Sequence, residues 1–413
     1  MTEMLYSKEV QKKGEFFNMK SFYKKVGLTT LCLMLISSGI HAGVSYRLEE
    51  FESKGLTGDF GYLSKNGGSY AKATLSPEFK LGPLEIGSNV NFYLPLTSGY
   101  SSEFNISLRK VAYTTDNYGF KWGALSKITF GYGLLMDDFD TTVGGESTEY
   151  TTSQGGFLGY GKLNNTRADV LWTPNHLMAY RASYTLENSM IMGSPIVFGA
   201  NYVNDSDGVE GTDRKAQQGY GADIGLPIAG DFLTLFTEYA QLSKSENNND
   251  QDTKGASAGV KGNLGPVDYK FEYRSLGAGF IPSYFNTVYE ATELPTAPTE
   301  KVSGFLGAAA VNFFDDYCKA GLQYEKYDNL DMFTAAFGWK EINHTVGVIN
   351  YSRPLGNGGS SAVADADILY LTGTSLDYVV HIKREYANDS SYTESYSVGF
   401  RMNLNKMFPS LPF

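Results

Sequence analysis

Two stretches of the chain concentrate side chains that could do work. Val267-Asp268-Tyr269-Lys270-Phe271-Glu272-Tyr273-Arg274 alternates apolar and charged residues without a break. Successive side chains of a strand point to opposite faces, so Asp268, Lys270, Glu272 and Arg274 share one surface. Two cations and two carboxylates on one face can set a transverse field along a water-filled passage. They can equally interlock as ion pairs that fill an interior. The second stretch, Gly279–Glu293, holds Phe280, Ile281, Pro282, Tyr284, Phe285, Val288 and Tyr289 and is too aromatic for a solvated connection. With Leu294–Lys301 it runs beyond about 20 residues, a length usually kept for functional loops. One expectation is that it folds inward as a short helix and narrows a passage, with Phe280, Tyr284, Phe285 and Tyr289 at the constriction. The other is that it packs outside, on the rim or on a neighbouring subunit.

No catalytic or metal constellation is expected. His176, His344 and His381 are scattered, and Ser375 and His381 lie six apart on one strand-like run, a spacing that keeps them from touching. Asp205-Ser206-Asp207-Gly208 with Glu210 and Asp213 lacks the twelfth-position carboxylate of a calcium loop and reads as a solvated loop. Gly156–Lys162 mimics a phosphate loop, but Leu163 replaces its Ser or Thr and no helix follows. Cys318 sits in the strand-like run Tyr317–Tyr327 with no base beside it, which suits a small buried or lipid-facing residue. No cofactor and no enzymatic activity are implied.

Strands must position whatever the two stretches do. Leu84, Ile86, Val90, Phe92 and Leu94 alternate with Glu85, Gly87, Asn89 and Asn91. Leu376, Tyr378, Val380 and Ile382 repeat the pattern, as do Tyr392, Tyr396, Val398, Phe400, Met402 and Leu404, with Glu394 out of phase. Such runs last about 9 to 13 residues, enough to cross a bilayer at a tilt, whereas soluble strands more often run to 5 or 6. The composition agrees: 30 Tyr, 26 Phe and 46 Gly stand against 3 Trp, with 42% hydrophobic residues overall. Gly-Pro turns at Gly82 and Gly265 contrast with long polar connections at Asp137–Tyr150, Asn204–Asp213, Ser243–Lys254 and Gly356–Asp367. About 18 to 20 strand-like segments can be marked, some as short as Thr166–Trp172. Discounting these, the expectation is an all-β, antiparallel transmembrane β-barrel of about 16 strands, with 14 and 18 also compatible.

The N-terminus points to export. Lys20, Lys24 and Lys25 precede an apolar run, Val26–Ile36, and a small-residue end at Ala42. This is the order of a signal peptide, and the run is too short to span a bilayer as a helix. Residues 1–18 do not belong to it. Lys12-Lys13-Gly14-Glu15 can be encoded by a ribosome-binding sequence, so translation is expected to start at Met19; a peptide from residues 1–18 detected in cells would reject this. The expected organisation is an upstream extension at 1–18, a signal peptide at 19–42 and one barrel at 43–413. Residues 43–413 hold 28 basic and 42 acidic residues, a net charge of −14. That excess argues against nucleic acid as a partner.

The export signal, the alternating strands and the terminal Phe413 resemble bacterial outer-membrane porins and porin-like channels; Ile128–Leu135 resembles their core segments. Pro409 and Pro412 depart from the family's uninterrupted last strand. The resemblance implies the outer membrane of a diderm bacterium, contact with its lipid, and insertion by barrel-assembly machinery. It implies passive diffusion of small polar solutes, and homo-oligomers are common in the family. The acidic loops add an expected preference for cations. A channel for hydrophobic compounds, or a surface barrel whose loops act as adhesin or receptor, are the alternatives.

Overall fold

Alternation makes these segments strands, and their pairing makes them a wall. The computed structural model describes residues 57–65, 68–96, 98–99, 101–141, 155–187, 194–206, 216–243, 253–286, 289, 298–314, 317–327, 330–354, 362–374, 376–386 and 392–403. The expected upstream extension, signal peptide and C-terminal tail lie outside them, as does most of the long polar connections.

The first strands are β1 (Thr57–Lys65), β2 (Gly68–Ser76), β3 (Glu78–Leu81), β4 (Leu84–Pro95), β5 (Glu103–Thr114) and β6 (Tyr118–Gly123). A short pair follows, β7 (Ile128–Phe130) and β8 (Met136–Phe139). Next come β9 (Gly156–Leu163), β10 (Thr166–Trp172), β11 (Leu177–Leu186), β12 (Ile196–Asp205), β13 (Gln217–Pro227) and β14 (Thr234–Leu242). β15 (Lys254–Leu264), β16 (Val267–Leu276), β17 (Val302–Phe313), β18 (Cys318–Tyr327) and β19 (Leu330–Ile342) continue the series. β20 (Thr345–Pro354), β21 (Ala362–Tyr370), β22 (Leu376–Tyr386) and β23 (Tyr392–Asn403) end it.

The wall strands pair antiparallel with their neighbours in the chain, and β6 pairs β9 across the excluded β7–β8 hairpin. β1 pairs both β2 and β23, so the sequence of pairings returns to its start. A ring leaves no unpaired edge for lipid to meet. β2 and β3 both pair β4 and are separated by Pro77, which donates no hydrogen bond; they act as one interrupted strand. Counted so, the ring has 20 strands among the described residues rather than about 16. The difference comes from short segments such as Thr166–Trp172, discounted for length. As β10 it pairs fully with β9 and β11. Residues 362–367, read as the end of a polar loop, begin β21 instead.

Turn chemistry fixes one rim. Gly82 and Gly265 open two-residue hairpins with φ of 58° and 70°, a conformation that glycine adopts without strain, and a Pro follows each. Asn164-Asn165 and Asn343-His344 close hairpins at the same end. The connections β6–β9, β12–β13, β14–β15 and β16–β17 all leave the opposite rim and are long.

The outward faces are apolar. Tyr180, Tyr202 and Tyr220 lie opposite one another across β11, β12 and β13 near the long-loop rim, all exposed. Tyr370, Tyr378 and Phe400 do the same across β21–β23 near the other rim, with ring centroids 6.4 and 5.1 Å apart. Phe92, Phe104, Ile106, Phe271, Phe305 and Leu322 are among the exposed large residues on the same outward surface. Soluble proteins rarely expose so wide an apolar surface, and a lipid-facing belt flanked by aromatic girdles is what a membrane-spanning barrel needs. Phe271 lies mid-strand, stacked on Phe305 at 5.7 Å. Phe271→Lys is expected to destabilise the barrel by about 2–4 kcal/mol in urea unfolding from lipid vesicles, the range for a basic residue near the midplane.

Candidate functional site: an inward unit docked on the wall

The segment that interrupts the ring between β6 and β9 turns inward. Gly123 makes the turn at φ 119°, where an added Cβ would overlap the Arg109 carbonyl. Beyond it, alternation stops: Leu125, Ile128, Phe130, Leu134, Leu135, Met136 and Phe139 are all buried. A lipid-facing strand cannot bury both faces, so this stretch folds on itself as the β7–β8 hairpin. Its base is closed by Leu125 and Thr141: the Leu125 amide donates to Thr141 Oγ1 and the Thr141 amide to the Leu125 carbonyl, both at 3.0 Å.

The residues that follow β16 zip onto this hairpin. Phe285 bridges Met136 in parallel, the Ser283 amide donates to the Leu134 carbonyl at 2.8 Å, and the Asp137 amide donates to the Phe285 carbonyl at 3.1 Å. The Ser283 hydroxyl donates to the Gly133 carbonyl at 2.8 Å. Phe280, Tyr284, Phe285 and Tyr289 thereby join one buried cluster with Leu134, Leu135, Met136 and Phe139. Inward-facing Leu171, Leu177, Val203, Leu242 and Leu276 of the wall complete it. The Tyr289 hydroxyl donates to Asp205 of β12 at 2.5 Å. Sequence reading brought these four aromatic residues together as a constriction, and the structure places them in one core. The short helix expected there is replaced by turns and a bridge among the described residues. Residues 287–288 and 290–297 lie outside them.

The hairpin tip, Gly131–Gly133, reaches deeper. The amides of Tyr132 and Leu134 both donate to Glu238 Oε2 of β14 at 3.0 Å. Gly131 and Gly133 carry φ of 72° and 95°, which is what lets two alternate amides converge on one oxygen. Lys270 of β16 donates to the Tyr132 carbonyl at 2.7 Å. The Tyr132 ring stacks on Phe236 at 4.2 Å, with the Lys261 ammonium over its other face at 4.7 Å.

Around the tip runs a network of charges on the inward face. Arg181 of β11 holds Asp223 of β13 with both terminal guanidinium nitrogens, at 2.6 and 2.9 Å. Lys270 pairs Glu272 at 3.2 Å; Arg274 pairs Glu272 and reaches Glu325 at 3.4 Å. Arg274 also donates to the Tyr327 hydroxyl at 2.9 Å, which itself donates to Glu325 at 3.0 Å. Glu272 is 0% and Arg274 1% exposed, so these two are sealed into the network and do not line an open passage. Asp268 stands apart, accepting from Asn263 at 2.7 Å near the short-turn rim. Asp268, Lys270, Glu272 and Arg274 share the inward face of β16, but three of them serve the network and one does not.

Glu238, Asp223, Arg181, Lys261, Tyr132, Glu325 and Tyr327 were not singled out from sequence. The available signal was a lone charge between two uncharged outward-facing residues, as in Ala222-Asp223-Ile224 and Thr237-Glu238-Tyr239. Other candidates fall where their nature allows. His176 sits in the β10–β11 turn at φ 60° and His344 in the β19–β20 turn at φ 62°. His381 lies on β22, and Ser375 and residues 207–215 lie outside the described residues. Gly156–Leu163 is the wall strand β9. Cys318 is buried and free at the start of β18. Among the described residues no group of three or more His, Cys, Asp or Glu could hold a metal ion.

Fold and site define a membrane-spanning antiparallel β-barrel whose interior carries a wall-anchored inward unit. No family model matches the chain. No curated protein matches it either. Among solved structures it is similar to a triple mutant of the Rhodopseudomonas blastica porin, with a TM-score of 0.29 and 10% identity over 84% of this chain and 98% of that one. It is similar to a mutant ferric enterobactin receptor of Pseudomonas aeruginosa, with a TM-score of 0.41 and 8% identity over 84% and 71%. A siderophore receptor of Pseudomonas aeruginosa gives a TM-score of 0.39 and 11% identity over 85% and 80%.

Proposed function

We propose that the chain is an outer-membrane channel through which small polar solutes diffuse passively, with a preference for cations. The observation that carries this reading is the inward unit docked on a charged wall while the outward face is apolar. A polar barrel interior narrowed by a segment of the chain itself is how a diffusion pore limits what passes. The cation preference draws support from the net charge of −14 over residues 43–413. The apolar cluster around Phe280 and Phe285 does not favour a route for hydrophobic compounds, because its side chains bury one another.

Single-channel recording tests the proposal. The barrel in a planar bilayer under a salt gradient should give discrete current steps and a reversal potential displaced toward the cation value. Replacing Ile128–Phe139 by a short Gly-Ser linker should raise the unit conductance by at least about twofold, since it removes the tip from the interior. Silence from a correctly folded barrel would reject the channel and leave surface binding through the long loops as the reading to pursue.

A further inference from the structure

We infer that Glu238 is the positioning residue of a gate: it latches the two inward segments, which move as one body, to the barrel wall. This rests on the channel reading above and adds what sets the position of the obstruction. The two segments are joined by backbone bonds from Ser283, Phe285 and Asp137, the kind of pairing that holds two strands of one sheet together. They share one apolar core, so neither can leave without exposing the other. The unit enters the barrel at Gly123, the last residue of β6, on one side and at Gly277, the first residue past β16, on the other.

Against the wall, the tip depends on side chains rather than on a strand ladder. Glu238 accepts two amides on one carboxylate oxygen, and Lys270 donates to the carbonyl between them. Two amides converge on this one oxygen, so one side chain supplies much of the polar hold on the tip. The other oxygen, Glu238 Oε1, is buried without a hydrogen-bond partner among the described residues and lies beside Gly131 and near Asp223. Glu238 there lies among Asp223, Glu272, Arg181 and Lys270. The amides of Tyr132 and Leu134 are the hydrogen-bond donors that meet Glu238 among the described residues. Gln at this position would retain an acceptor oxygen for the amides and turn its NH2 toward Asp223. Ala would retain nothing.

The test combines amide exchange and conductance on the full chain, exported and purified from the membrane. In Glu238→Ala the Tyr132 and Leu134 amides should exchange at least about tenfold faster while β14 stays protected, the expected effect of removing the acceptor they share. Its unit conductance should rise or flicker to a larger level. Glu238→Gln should restore most of the protection and the wild-type level. Unchanged exchange at both amides in a folded Glu238→Ala barrel overturns the latch. Faster exchange in a barrel that never conducts keeps the latch and rejects the channel reading instead. Faster exchange at the tip with Phe285 still protected overturns the single moving body.

Discussion

Arg274→Met is expected to destabilise the barrel by about 3–5 kcal/mol, the cost of removing one partner from a buried ionic network. Arg274 is 1% exposed and its Nε donates to Glu272 at 2.6 Å, with Tyr327 and Glu325 as further partners. Without it, among the described residues, Glu272 stays buried with Lys270 alone, and Glu325 keeps only the Tyr327 hydroxyl and the Gln323 amide, which donates at 2.7 Å. The change removes little packing volume, so the loss should be electrostatic. Glu272→Gln with Arg274→Met removes both charges and should recover part of it, because Glu272 no longer stays buried as a carboxylate that has lost Arg274. Trp122, Trp172 and Trp339 are the three tryptophans of the chain and lie on wall strands, so urea unfolding can be followed by their fluorescence. Equal losses in the single and the double variant would mean that the guanidinium acts by packing alone. Arg274→Lys should lie near Met, since an ammonium cannot reach both sides of the network.

The wall was legible because its rule is local. β16 and β23 show their faces in eight to twelve consecutive residues, and the Gly-Pro turns declare their φ in two. Strand number was less legible, because a seven-residue strand such as β10 carries too few alternations to stand out alone. The inward unit was half legible. Phe280–Tyr289 could be recognised as aromatic residues in a connection too long to be idle. The hairpin at Ile128–Phe139 was read as a core segment running into a polar loop, since what turns it inward is far away in sequence. The Tyr132 amide and Glu238 are 106 residues apart, and the Tyr132 carbonyl and Lys270 are 138 apart. Such partners are brought together only by closure of the ring. For the same reason the four charges of β16 could be put on one face, but not sorted into network and rim.

Glycines on the inward face of the wall carry the second large effect, because each leaves a socket for one side chain of the inward unit. An added Cβ at Gly225 would overlap the Tyr132 hydroxyl; at Gly255 it would come 2.5 Å from the Phe280 ring, and at Gly219 2.7 Å from Leu135. Gly225→Val and Gly255→Val should therefore push the unit off the wall and raise unit conductance by at least about twofold, with overpacking costs of about 1–3 kcal/mol. Gly307→Val is the control. Gly307 lies opposite outward-facing Phe271, whose ring is 3.8 Å from the added Cβ, so Val fits there and improves the strand. All three variants gain the same intrinsic strand preference, so conductance separates displacement of the unit from any effect on the wall. Tyr132→Ala supplies the complementary arm, since it empties the Gly225 socket and makes the added Val harmless. If Gly225→Val is as costly in the Tyr132→Ala background as alone, the socket is not what it overfills. If the cost disappears, the glycine is there for the tyrosine, and the wall has been shaped around what it holds.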